Sequence, residues 1–144
     1  MVELLLVVRL AGRRVAFRAS EVEGLVELEE LTPAPGAAAH VAGLSSLRSR
    51  VLTVVDAAAA LELGVAVATS LANAIVVPSG GHPYALLVDG VEDVLEASGS
   101  VAPVAAPLGP GWDRVALGMV EAQDDLLLLV DPHALIAGPA VVHA

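Results

Sequence analysis

The chain has 144 residues, of which 56% are hydrophobic and only 2% aromatic, and 17 acidic against 7 basic residues give a formal net charge of −10. That much apolar mass excludes a disordered chain, and the length suits one domain (residues 1–144) burying roughly 70% of its unfolded surface. The cations are all arginine and cysteine is absent, which argues against nucleic-acid binding and excludes disulfides, thiol nucleophiles and cysteine-ligated metals.

Short apolar runs separated by turn residues predict strands along most of the chain. Leu4 to Leu10 and Arg14 to Arg18 flank Ala11-Gly12-Arg13 as a hairpin. Ser20 and Glu23 have the capping-box spacing and predict one helical turn, after which Leu25 to Leu28 resumes as a strand. Glu27, Glu29 and Glu30 alternate with Leu28 and Leu31 and read as one wet strand face, and Thr32-Pro33-Ala34-Pro35-Gly36 is a loop. Val41 to Leu47 and Val51 to Val55 are strands around Arg48-Ser49-Arg50. Asp56 as N-cap, Ala57 to Leu63 as body and Gly64 as stop predict a short helix between the halves. Beyond a Val65 to Ala72 connector, Ala74 to Val77 and Tyr84 to Val88 make a second hairpin around Gly80-Gly81. Val91 to Leu95 follows as a strand, Pro103 to Gly111 as a loop, and Val115 to Val120 and Leu126 to Val130 as strands. Asp131 and Pro132 then open a short C-terminal helix.

The longest stretch free of charged residues, Gly64 to Val88, is long enough to span a bilayer, but Pro78-Ser79-Gly80-Gly81-His82-Pro83 in its middle rules out a lipid-facing helix. Leu4 to Val8 lacks the basic start and the length of a signal peptide. Both features point to a cytoplasmic chain without membrane insertion.

The pattern repeats. Aligning Gly12 with Gly81, an offset of 69, sets Ala85 on Ala16, Val91 on Val22, Glu92 on Glu23 and Glu96 on Glu27. An offset of 75 sets Gly118 on Gly43, Leu126 on Val51 and Asp131 on Asp56. The expected fold is mainly β: two all-β units of about five strands, with sequence cores near 12–64 and 72–131, too small to stand alone and sharing one core. Closure of each sheet into a barrel would remove its exposed edges.

Catalytic patterns are missing. With no lysine there is no standard P-loop, and no G-x-G-x-x-G is present. His40, His82, His133 and His143 are scattered, and none has the spacing of paired metal ligands. His133 reads as a surface helix residue and His82 as a solvated hairpin residue. Ser45 and Ser46 lie outside any nucleophile elbow. Asp124-Asp125 and Glu92-Asp93 sit at exposed positions that keep carboxylates ionised. No catalytic residue, cofactor or metal is expected. One segment stands out: Gly43-Leu44-Ser45-Ser46-Leu47-Arg48-Ser49-Arg50-Val51 sets two arginines around a tight turn of an acidic protein. It is either a solvated turn or a partner contact, for which the planar, weakly hydrated guanidinium is well suited.

These residues resemble the CheW family of bacterial chemotaxis adaptors. The family hallmark Val-x-Gly-x-x-Asn-Leu-Arg-Gly, then an apolar strand ending in Asp, is matched by Val41-Ala42-Gly43-Leu44-Ser45-Ser46-Leu47-Arg48-Ser49 and Val51-Leu52-Thr53-Val54-Val55-Asp56. Arg9-Leu10-Ala11-Gly12, Leu86-Leu87-Val88-Asp89-x-Val91 and Leu126 to Asp131 extend the likeness over nearly the whole chain. The resemblance implies two intertwined five-stranded SH3-like β-barrels and no catalytic activity. It also implies a scaffold binding the cytoplasmic tip of a chemoreceptor (a methyl-accepting chemotaxis protein) and the regulatory domain of a CheA-type histidine kinase. Arg48 matches the motif arginine and is the expected partner contact, with Leu47, Gly43 and Arg50 around it. Ser46 and Ser49 replace the hallmark Asn and Gly, which predicts strain at both positions, and Thr53 in place of the usual Pro restores a donor to what would be an edge strand. A CheW-like module of a non-flagellar receptor–kinase pathway is one alternative. A small-ligand-binding β-barrel is another, and the scarcity of rings and polar anchors argues against it.

Overall fold

The structure is a computed structural model and describes residues 2–63 and 73–139. The expected Val65 to Ala72 connector and the Gly64 helix stop lie outside the described residues.

The first half gives strands β1 (Leu4–Leu10), β2 (Arg13–Arg18), β3 (Gly24–Val26), β4 (Val41–Leu47) and β5 (Arg50–Asp56). The second gives β6 (Ala74–Ser79), β7 (His82–Leu87), β8 (Gly90–Glu96), β9 (Ala116–Ala122) and β10 (Asp125–Val130). Helices α1 (Ala57–Ala60), α2 (Pro110–Val115) and α3 (Pro132–Ala137) are short. The sequence repeat is a structural one: the offset of 69 carries β2 onto β7 end to end, and the offset of 75 carries β4 onto β9.

The halves exchange strands. The first sheet runs β8-β1-β2-β10-β9 and the second β3-β6-β7-β5-β4, so each takes a hairpin from one half and three strands from the other. Neighbours are antiparallel except β2 with β10 and β7 with β5, two of the four junctions where the halves meet. The apolar runs lack polar alternation because both faces of these strands are covered. Leu5 and Val7 of β1 pack inside the first sheet with Ala16, Val120, Leu127 and Leu129. Leu6, Val8 and Leu10, on the opposite face, join Phe17, Val55, Ile75, Leu86, Trp112 and Leu135 in a core between the sheets. Leu52, Val54, Val76 and Leu87 fill the second sheet's own core.

A bulged glycine in each half closes the design. Gly43 and Gly118 are equivalent, buried, and have φ of 154° and 147°. Each sits beneath a loop residue, Thr32 or Ala102, that forms a two-bond bridge to the residue after the glycine, Leu44 or Met119.

Several expectations are corrected. The first helix stops at Ala60, because Leu61 turns into the shared core and Glu62 takes a left-handed backbone with φ 62°. Pro103 to Gly111 is not all loop, since Pro110 opens α2 as a first-turn proline, and β9 accordingly starts at Ala116. Ser20 makes no capping bond within its 3-10 turn (Ala19–Glu21), and Glu23 faces Arg50 instead. The strand expected over Leu25 to Leu28 is Gly24–Val26, and Leu28 leaves it to enter the second sheet's core. Glu27, Glu29 and Glu30 are exposed, but outside any strand. Thr53 lies on an interior strand, paired to both Leu44 and Tyr84. Asp56 and Asp131 cap their helices as expected, accepting from the backbone N–H of Ala59 and His133.

Candidate partner-binding site

The β4–β5 hairpin presents Arg48. Leu47 pairs with Arg50, leaving Arg48 and Ser49 as a two-residue turn with φ of 50° and 67°. Two positive φ values are the signature of a type I′ turn, whose twist matches the flanking strands and which favours Asn-Gly. The strain anticipated at Ser46 is absent, because Ser46 is an exposed strand residue opposite Val51; it falls on Arg48 and Ser49. Each left-handed non-glycine residue costs about 1–2 kcal/mol. Ser49→Gly is therefore expected to stabilise the protein by about 1 kcal/mol, a rise in melting temperature of about 3 °C, read by thermal unfolding. An unchanged melting temperature would show that the turn is not left-handed.

Across from the hairpin, the edge strand β3 forms the other wall of a groove of about 250 Å³. Leu47 and Leu52 from the hairpin meet Leu25, Val26 and Val76 as its apolar lining, and Glu23, Arg48 and Arg50 form its rim. Leu25 is half exposed there, as is Val51 on β5. The Arg50 guanidinium donates to both Glu23 oxygens, at 2.8 and 3.3 Å. These bonds hold the Glu23 carboxyl below its usual range and raise Arg50 in turn.

The other arginines are also occupied. Arg9 pairs with Glu92, Arg14 with Glu92 and Asp125, and Arg18 with Glu3. Arg114 donates to the carbonyls of Ala60 and Ala134, tying α1 and α3 to α2, and Arg13 lies 5.1 Å over the Trp112 ring. Arg48 alone, among the described residues, has no ion pair, carbonyl or ring partner.

Leu47, Arg48 and Arg50 are thus brought together, and Gly43 is set apart, buried under Thr32. Glu23, Leu25 and Val26 went unrecognised in the sequence, because Glu23 read as a capping residue and no local pattern joins β3 to β5. The groove carries no nucleophile, histidine or free carboxylate pair, so its chemistry is that of contact. The barrel interiors are filled with aliphatic side chains, which speaks against a ligand cavity there.

A family model described as the CheW-like domain matches residues 4–140. The chain belongs to the CheW family. Its fold accords with that placement: among fifteen matching solved chains is the scaffolding protein TtCheW from Thermoanaerobacter tengcongensis, with a TM-score of 0.76 at 22% identity, covering 94% of this chain and 88% of that one. No curated protein matches the sequence. CheW-family proteins are non-enzymatic scaffolds and adaptors of chemotaxis, and the two five-stranded sheets are the family's SH3-like barrels. No helix among the described residues is long and apolar enough to cross a membrane.

Proposed function

We propose that this CheW-family protein is a cytoplasmic adaptor that couples the tip of a chemoreceptor to the regulatory domain of a CheA-type histidine kinase, with the Arg48 hairpin as one contact. The observation that carries the site is the unpaired guanidinium. In a chain of net charge −10, Arg48 is displayed on a tight two-residue turn beside an apolar groove, while every other arginine is engaged within the fold. A cation that gives up no internal partner on binding is a strong candidate anchor, and Leu47 and Leu25 supply apolar area next to it. Gly43 and Arg50 support the site from within, one by shaping β4 and the other by holding Glu23 across the groove.

Co-sedimentation with receptor-bearing membranes and kinase tests this reading. Wild type should enter the pellet and raise kinase activity, and Arg48→Glu should lower recovery about tenfold while its melting temperature stays within about 2 °C of wild type. Equal recovery and equal activation by Arg48→Glu would remove the hairpin from the interface. Failure of wild type itself to join would overturn the adaptor assignment.

A further inference from the structure

Glu21, Asp131 and His133 converge on the side of the molecule where the crossover from β2 to β3 meets the start of α3. Their ligand atoms all lie within 4.8 Å of one another. Ser79 Oγ, at the end of β6, is 3.2 Å from His133 Nδ1, and Glu21 Oε2 is 3.2 Å from His133 Nε2. The Ser79 hydroxyl can accept from Nδ1–H, and the tautomer so held turns the Nε2 lone pair toward the carboxylate, as in histidine metal ligands. In that tautomer two acceptors face one another at 3.2 Å, and a cation between them satisfies both. The other Glu21 oxygen, Oε1, is buried and has no hydrogen-bond donor among the described residues, an unmet demand on the same carboxylate. Asp131 spends Oδ1 on the backbone N–H of His133 at 2.9 Å, which leaves Oδ2.

A cation bound at about 2.0–2.2 Å to an imidazole nitrogen and a carboxylate oxygen holds those atoms about 3.3 Å apart in tetrahedral geometry. The Glu21–His133 separation of 3.2 Å is close to that value. The Asp131 carboxylate lies within 4.8 Å of both, and a shallow surface depression beside Glu21 and His133 leaves the site open to ions. One nitrogen with two carboxylates suits zinc better than magnesium or calcium, which take all-oxygen shells.

We propose that Glu21, Asp131 and His133 form a zinc-type divalent cation site that fastens the β2–β3 crossover to the capping turn of α3. The ion would join the beginning of the chain to its end at the point where strands pass from one sheet to the other.

The test is calorimetry and thermal unfolding of chelator-treated protein at pH 7.5, with Zn²⁺ alone and Mg²⁺ alone. One equivalent of Zn²⁺ should bind and raise the melting temperature by about 5–10 °C at saturation, and Mg²⁺ should do neither. His133→Ala and Glu21→Gln should weaken Zn²⁺ binding at least tenfold, and His82→Ala, at an exposed position on the β6–β7 hairpin, should leave it intact. Because His133 is exposed, folding of its variant is checked by an unchanged Trp112 fluorescence transition. Absence of Zn²⁺ binding, or equal binding by His133→Ala and Glu21→Gln, overturns the proposal. So does stabilisation by acid alone, without any response to Zn²⁺, which would leave a proton as the bridging species.

Discussion

Phe17→Ala is expected to destabilise the protein by about 3–5 kcal/mol, close to the whole stability of an ordinary small domain. Phe17 is fully buried on β2 and is the only phenylalanine in the chain. It packs in the core between the sheets with Leu86 and Ile75 from the second half, so truncation opens a cavity both sheets line. The lone tryptophan, Trp112, belongs to the same core and reports its loss by fluorescence, while far-UV circular dichroism reports the sheets. The two denaturant transitions should coincide in wild type and in the variant, since neither sheet can be completed by one half of the chain. Separate transitions would show that the sheets unfold independently and would contradict the coupling assigned to strand exchange.

Gly118→Ala should cost about 2–4 kcal/mol and lower the melting temperature by about 10 °C, and Gly43→Ala should behave alike. A Cβ on Gly118 would stand 2.5 Å from the Ala102 carbonyl oxygen, and one on Gly43 would meet Thr32 in the same way. Relief requires the loop to lift and give up its two-bond bridge, in addition to the backbone strain at φ 147°. Gly12→Ala provides the contrast. Gly12 has φ 78° but open space around it, so only the conformational cost of about 1 kcal/mol applies. If all three substitutions cost the same, close packing over the bulges contributes nothing measurable.

These expectations separate what neighbours along the chain decide from what distant residues decide. The glycine-centred turns at Gly12 and Gly80-Gly81 and the aspartate caps at Asp56 and Asp131 were readable because each depends on bonds spanning a few residues. The repeat was readable too, and it placed β4 on β9. The misplaced features were those where local signals competed. Ser20 with Glu23 satisfies the capping-box pattern, yet the carboxylate gains more from a two-pronged guanidinium on β5. Pro110 signals a helix start as well as a loop, and Gly111 lets that helix lie against the Leu61 carbonyl.

The site divides in the same way. Leu47, Arg48 and Arg50 were found because they share one hairpin and Arg48 matches a family motif. The opposite wall, Glu23, Leu25 and Val26, comes from an edge strand that pairs with β6 of the other half, so no sequence spacing links it to the hairpin. Likewise Glu21, which no sequence pattern singled out, and His133, read as a surface histidine, meet only because α3 folds back onto the crossover.

By itself, then, the sequence determined most of the strands, their repeat, the family and that the few cations of an acidic chain are all arginine. An apolar period reports which faces need cover, and a glycine or capping aspartate reports where the backbone turns. Neither names the strand that provides the cover. The tertiary structure decided that the halves trade strands, that six of the seven arginines are engaged inside the fold among the described residues, and that Arg48 is left facing solvent. The reason is that burial is non-directional while hydrogen bonds and ion pairs act only at contact, so their partners exist only once the chain has been brought together.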